Sequence, residues 1–265
     1  METFSRRWAL MILVSLLLVV HYAAMLCNAA HPLITDDTGT QGRDRGQIEI
    51  NIEFDFDRES VEGITIKEKV TEIASIISMG IVDNIDFVLG VPYQWIRVEA
   101  DGIEASRENG LSDMSFEVKW RFFEKEGLGL AVKPGITFPT GDDNRGLGTG
   151  KATYSLYFIS TMETGPWTFH TNLGYIGNQN RAGERTHLWH ASFATEYQII
   201  NDLKLVTNIG IERNPDKASE KNPSFILGGI IYSILENLDI DFGVKGALNR
   251  SEVDYAVLSG ITLRF

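Results

Sequence analysis

Residues 47–57 read QIEINIEFDFD, and this stretch decides the fold. Its apolar residues occupy the even positions from Ile48 to Phe56, while polar residues occupy the odd positions from Gln47 to Asp57. Side chains alternate across a β-strand, so this pattern predicts a strand with one apolar face. Strands of soluble proteins average about 5 to 6 residues, whereas a tilted strand needs about 9 to 11 to cross a membrane. The stretch therefore predicts a membrane-crossing strand.

The same period of two recurs along the rest of the chain. We expect twelve strands, at 47–57, 64–79, 85–97, 112–123, 128–139, 151–162, 166–177, 187–198, 203–213, 223–234, 237–248 and 254–265. Short connections, at 82–84, 124–127, 163–166, 200–202 and 236–237, alternate with longer polar ones at 58–63, 98–112, 141–150, 178–186 and 215–222. This alternation is typical of bacterial outer-membrane barrels, which have short periplasmic turns and longer extracellular loops. Residues 47–265 are therefore predicted to form an all-β, membrane-spanning, antiparallel up-and-down barrel of about twelve strands.

The apolar faces are predicted to point outward, towards lipid. Aromatic residues cluster near both ends of the predicted strands, and two aromatic girdles at the bilayer interfaces are expected of outward apolar faces. Those near the long loops are Trp95, Phe138, Tyr154, Tyr175, Trp189 and Tyr255, and those near the short turns are Trp120, Phe122, Trp167, Tyr197 and Phe265. Charged residues such as Glu117 and Asp241 then face the lumen.

Residues 1–30 are predicted to be a secretory signal peptide. Arg6 and Arg7 precede an apolar run that is too short for a comfortable transmembrane helix, and small residues follow. Cys27 is the only cysteine, so cleavage would leave no disulfide and no thiol nucleophile. Leu26 is bulkier than the small residue expected before a lipidated cysteine, which argues against a lipoprotein. The net charge of −12 disfavours nucleic acid as a partner.

The C-terminal stretch DYAVLSGITLRF, residues 254–265, ends in Phe265. A last strand that ends in Phe resembles the signature by which outer-membrane proteins are recognised for assembly. The expected partners are therefore the lipid bilayer, the outer-membrane assembly machinery through Phe265, and a small-molecule solute. No cofactor is expected.

Several stretches of the chain carry a family resemblance. They include HPLITDDTGTQG (31–42), LAVKPGITFPTGD (130–142), LGTGKATYSLYFIS (147–160) and ENLDIDFGVKGALN (236–249). In these stretches the chain resembles the outer-membrane proteins assigned to the MetA-pathway of phenol degradation. The resemblance implies an outer-membrane barrel and the passage of aromatic or other hydrophobic compounds.

The predicted lumen carries charges of both signs. Barrels of roughly 8 strands have an interior filled by side chains, whereas barrels of 16 to 18 strands leave an aqueous pore. A barrel of twelve strands lies between these sizes, so any pathway through it should be narrow. The inward charges could form structural ion pairs or line a gated path, and selectivity of the kind seen in wide ion channels is not expected. The candidate pathway residues are Glu117, Lys119, Arg121, Lys133, His170, His190, Lys245 and Arg264.

Two other function classes remain open. His190 and Ser192 lie on one face of a strand, and a serine beside a histidine base is the minimum for acyl transfer. The chain could therefore be a barrel-embedded acyl hydrolase, or a structural barrel without transport. In the loop at 141–150, Asp142, Asp143 and Asn144 could hold calcium, although turn formation explains them equally well.

Residues 31–46 precede the first strand and lack a strand or helix pattern. Sixteen residues can reach up to about 50 Å when extended, so this segment could enter the lumen as a plug or remain a periplasmic tail. As a plug, Leu33 and Ile34 would supply apolar contacts. Asp36, Asp37 and the threonines of the segment would then bond inward Lys and Arg such as Arg121 and Arg264.

Overall fold

The computed structural model describes residues 31–61 and 63–265, so the predicted signal peptide lies outside the described residues. The described residues form thirteen β-strands and one 3-10 helix, Asp143–Arg145. The strands are β1 (Gly46–Val61), β2 (Ile64–Val82), β3 (Ile85–Ala100), β4 (Ile103–Leu111), β5 (Met114–Lys125), β6 (Leu128–Phe138), β7 (Thr153–Thr164), β8 (Trp167–Gly177), β9 (His187–Ile200), β10 (Leu203–Glu212), β11 (Ser224–Leu235), β12 (Leu238–Ala247) and β13 (Tyr255–Arg264).

Twelve of these strands close into an antiparallel ring. Each pairs with its neighbour in sequence, except that β3 pairs with β5, and β1 pairs with β13 to close the barrel. The predicted barrel of twelve strands is confirmed. Short turns join the strands at one rim, as at 83–84 and 236–237, and the longer loops lie at the other rim.

The strand outside the ring of twelve is β4, and it corrects the predicted end of the third strand and the loop after it. Residues 98–112 were expected to form a loop, but β3 continues to Ala100 and β4 returns beside it to Leu111. Asp101 and Gly102 form the turn between them with φ values of 49° and 82°, the left-handed conformations that an Asp-Gly hairpin turn uses. Similarly, the expected loop at 58–63 belongs largely to a long hairpin of β1 and β2.

The wall of the barrel is apolar on the outside. On β3 and β5 the outward Phe87 and Trp120 are 41% and 47% exposed, whereas the inward Asp86 and Lys119 are 2% and 8% exposed. An outward apolar wall and a polar interior are the reverse of a soluble barrel and match a membrane-spanning one. The predicted direction of the faces is confirmed. Within the described residues, no helix is long and apolar enough to cross a membrane.

Aromatic side chains pack against one another near both ends of the wall. Trp167 and Tyr197 meet at the short-turn ends of β8 and β9 with ring centroids 4.5 Å apart. Phe56 and Tyr255 stack near the opposite rim at 4.8 Å. The Trp and Tyr rings among them are amphipathic and suit the two membrane–water interfaces.

Candidate functional site

The candidate site is the N-terminal segment, residues 31–46, together with the inward side chains that it contacts. From Pro32 to Thr40 most of its residues are buried, although they form no strand or helix. His31 Nδ1 lies 2.5 Å from Asp241 on β12, and the N–H of Gln41 donates to Asp86 on β3 at 2.9 Å. The segment therefore runs across the interior of the ring.

Buried hydrogen bonds hold the middle of the segment to β9 and β10. Asn208 Oδ1 accepts from the N–H groups of Ile34 and Thr35, at 2.8 and 3.0 Å, and its Nδ2 donates to Thr35 Oγ1 at 2.7 Å. Thr35 Oγ1 donates to Ser192 Oγ at 2.7 Å. A net contribution of about 0.5–1.5 kcal/mol for each bond makes this a substantial anchor.

Asp36 forms the ionic anchor of the segment. Its carboxylate lies 2.7 Å from Lys119 Nζ and 2.8 Å from Lys133 Nζ, and Lys133 also lies 3.2 Å from Glu117. Burial opposes ionisation of Asp36, but the two ammonium groups outweigh it and hold the pKa of this carboxyl below its usual range. Asp36 is therefore charged at neutral pH, and its two lysine partners come from adjacent strands, β5 and β6.

Inward Lys and Arg are the expected partners of Asp36 and Asp37, but the two arginines named as examples, Arg121 and Arg264, pair with other residues. Arg121 pairs with Glu124 at 3.3 Å, near the short-turn rim. Arg264 pairs with Asp239 at 2.5 Å on the neighbouring strand. Both arginines lie near the periplasmic ends of their strands, whereas Asp36 lies further inside the barrel, at the level of Lys119 and Lys133.

Apolar contacts hold the start of the segment. Pro32 fills the space above Gly229 and Gly243, where an added Cβ would lie 2.9 Å from the proline ring. Leu33 is 7% exposed and Ile34 is 38% exposed, and both line a cavity. Leu33 belongs to a buried apolar cluster with Ala194, Val206, Phe225, Leu227, Ile231, Ala256 and Leu258.

The two candidate histidines have separate partners. His170 lies 2.9 Å from Thr161 Oγ1 and 3.3 Å from Glu196, which also pairs with Lys204 at 2.8 Å. Thr161 Oγ1 in turn accepts from the N–H of Thr38 in the N-terminal segment. His170 therefore belongs to a network of interior polar contacts.

His190, Ser192 and Glu212 form a second interior group. His190 Nε2 lies 2.9 Å from Ser192 Oγ, and its Nδ1 lies 3.5 Å from Glu212 Oε2. The pattern around His190 and Ser192 does not by itself reveal this acidic partner. Glu212 lies opposite His190 in the pairing of β9 and β10, so the inward position of Glu212 on the next strand is the sequence feature that could have indicated the contact.

Lys245 lies near the extracellular end of the lumen among three carboxylates. Its Nζ is 2.9 Å from Glu53, 3.8 Å from Asp55 and 3.7 Å from Glu252. Three carboxyl groups therefore surround one ammonium group at this end of the lumen.

In the 141–150 loop, the candidate calcium ligands have other roles. Asp142 accepts a hydrogen bond from the N–H of Asn144 at 3.1 Å and caps the 3-10 helix. Asp143 pairs with Arg181 at 3.3 Å. Over residues 31–61 and 63–265, no cluster of three or more His, Cys, Asp or Glu side chains could hold a metal ion.

Two cavities flank the N-terminal segment. A cavity of about 790 Å³ opens among the short turns and is lined by residues such as Asp83, Pro166 and Asn201. A second one, of about 240 Å³, lies deeper, between the segment and the wall of β1, β2, β3 and β5. Gln41 lines both cavities.

Solved structures of outer-membrane barrels share this fold. An outer-membrane channel from Pseudomonas putida F1 is 12% identical with a TM-score of 0.67, over 86% of this chain and 98% of that one. The NanC porin is 10% identical with a TM-score of 0.53, over 82% and 98%. The translocator domain of the autotransporter NalP from Neisseria meningitidis is 12% identical with a TM-score of 0.56, over 93% and 96%.

The search of curated proteins found no match to this sequence. The closed barrel and its outward apolar wall identify a protein of the bacterial outer membrane. The sequence family described as "Putative MetA-pathway of phenol degradation" matches residues 35–265, which is most of the chain. The chain therefore belongs to this family of outer-membrane barrels.

Proposed function

We propose that this protein is an outer-membrane channel or transporter for small hydrophobic or aromatic compounds, and that residues 31–46 plug its lumen. The observation that carries the proposal is the N-terminal segment lying across the interior, anchored by Asp36 to Lys119 and Lys133. The family description, which names phenol degradation, supports the solute class. A channel and a porin among the similar structures support the transport role.

The apolar cluster around Leu33 supports a hydrophobic solute. Its barrel members, which include Phe225, Leu227 and Ile231, are at most 5% exposed while the segment covers them. Displacement of the segment would uncover an apolar surface inside an otherwise polar lumen. An aromatic ring could then replace Leu33 there, because apolar area removed from water favours binding by roughly 25 cal/mol per Å².

Uptake by cells tests the solute class. We expect cells that express the protein to take up labelled phenols and aromatic acids faster than cells that lack it, with little change for sugars of similar mass. Phe225→Ala should slow the uptake of aromatic solutes, while Phe138→Ala on the outer wall serves as the matched control. Equal uptake with and without the protein would favour a structural barrel without transport.

The hydrolase alternative has one observation in its favour, the contact of His190 with Ser192 and Glu212. Two facts argue for a structural role. Ser192 is only 5% exposed, and its hydroxyl already accepts a hydrogen bond from Thr35. A lipid substrate in the bilayer would not reach this inward pair.

We expect no ester hydrolysis by the purified barrel, and no change in hydrolysis for Ser192→Ala or His190→Ala. Short-chain nitrophenyl esters and phospholipid vesicles are suitable substrates. Wild-type hydrolysis that disappears in Ser192→Ala, and remains in the inward control Ser115→Ala, would establish the enzyme instead.

A further inference from the structure

The deep cavity of about 240 Å³ has a wall with a marked excess of oxygen acceptors. Five carboxyl groups line it against two ammonium groups. Both ammonium groups, those of Lys119 and Lys133, are engaged by Asp36 of the N-terminal segment. The opposite wall, formed by β1, β2 and β3, contributes no lysine or arginine to the described lining.

Two deeply buried side chains in this wall have oxygens without donors. Gln47 and Asp86 are 4% and 2% exposed, and Gln47 Oε1 and Asp86 Oδ1 accept no hydrogen bond from the described part of the chain. The second polar atom of each is engaged, since Gln47 Nε2 donates to Glu49 and Asp86 Oδ2 accepts from the N–H of Gln41. Asn51 Oδ1 is a third acceptor of this kind in the same wall.

Buried acceptors without donors are costly, so a wall of this kind favours an occupant that brings positive charge or donors. The cavity far exceeds the roughly 10–15 Å³ that one water molecule needs, so it can take a hydrated ion. Carboxylate and amide oxygens spread along a wall attract cations without enclosing them, so the chemistry favours loosely held monovalent cations.

The same wall leads towards both ends of the barrel. On the extracellular side, the inward-facing residues of β1 continue from Asn51 to Glu53 and Asp55. Both carboxyl groups lie close to Lys245, so acids outnumber bases there. On the periplasmic side, Gln41 lines both the deep cavity and the larger one among the short turns, where four acidic and four basic side chains are present. Oxygen acceptors thus line one side of the lumen from the deep cavity to the extracellular end.

We propose that this acceptor-lined side conducts small monovalent cations, either alkali ions or small alkylammonium ions, while the N-terminal segment remains in place. The proposal rests on the proposed channel function and adds a class of solute that passes the plugged barrel. Charges of both signs line the lumen as a whole. However, the segment engages the lysines of β5 and β6 and leaves the acidic side facing the open space.

The test is the reversal potential of the full mature barrel in planar bilayers, under gradients of potassium chloride and of methylammonium chloride. We expect both cations to permeate better than chloride. Asp86→Asn should lower the cation-to-chloride permeability ratio by about two- to tenfold, because it replaces an acidic oxygen acceptor of the cavity wall by a neutral amide. Asn51→Asp should raise this ratio, and Glu220→Gln in an exposed loop is the matched control.

Heat-modifiable migration on gels would establish that each variant is folded. Permeation by potassium alone would assign the path to alkali ions, and permeation by both cations would extend it to alkylammonium ions. A wild-type barrel that conducts nothing or prefers chloride would overturn the proposal, as would unchanged ratios in both charge variants. A variant lacking residues 31–40 separates the two proposals: if it conducts strongly while the wild type is unselective, the plug stands and the cation path fails.

Discussion

Deleting residues 31–40 is expected to raise the single-channel conductance of the barrel severalfold. These residues cross the lumen and fill the space above Gly229 and Gly243. The deletion removes Asp36 and Thr35, and with them the ionic and hydrogen-bonded anchors. Conductance in planar bilayers would measure the open cross-section directly.

Charge reversal tests the same anchor without shortening the chain. Asp36→Lys with Asp37→Lys replaces attraction to Lys119 and Lys133 by repulsion, and two unit charges 4 Å apart interact by about 4 kcal/mol at an effective dielectric constant of 20. The double variant should therefore also conduct more. Asp202→Lys, in an exposed turn between β9 and β10, is the matched control.

Two results together would show that the segment is only a periplasmic tail. One is unchanged conductance in both the deletion and the charge reversal. The other is cleavage of the segment by a protease added to the folded wild-type barrel. If the segment is a plug, we instead expect the protease to spare it in the wild type and to cleave it in the double variant, where the charge reversal displaces it.

The barrel wall could be predicted from the sequence because the pattern that specifies it lies within each strand and its adjacent connections. A period of two shows which side chains share a face, and the lengths of the connections show the rims. Asp101 and Gly102 also carried a local hairpin signal, but the polar composition of residues 98–112 obscured it. The extra strand β4 could therefore have been found from the turn residues alone.

The partners of Asp36 could not be predicted in the same way. The sequence indicates that Lys119, Lys133 and Arg121 are all inward bases, so it predicts the positive charge of the partner. Which base lies level with Asp36 depends on the stagger of all twelve strands and on how far the segment extends into the ring. Similarly, the contact of His190 with Glu212 depends on the register of two strands.

Val244→Arg is expected to destabilise the folded barrel in a bilayer by up to about 2–4 kcal/mol, because an arginine on the lipid-facing side has a cost that grows with its depth in the bilayer. Val244 points outward from β12 and is 46% exposed, with Phe242 as its outward neighbour on the same strand. A guanidinium there has no inward partner and must extend towards the interface or perturb the lipid. Denaturant titrations of the barrel in vesicles would measure the change.

Ser115→Arg is the matched control, because it introduces the same charge on the other face of the wall. Ser115 lines the deep cavity near Glu117, so an arginine there faces carboxylates instead of lipid. We expect it to cost much less than Val244→Arg. Equal costs at the two positions would mean that the outer surface is not in contact with lipid. A larger cost for Ser115→Arg would mean that the cavity is too tightly packed to take a cation, which would also weigh against the acceptor-lined path.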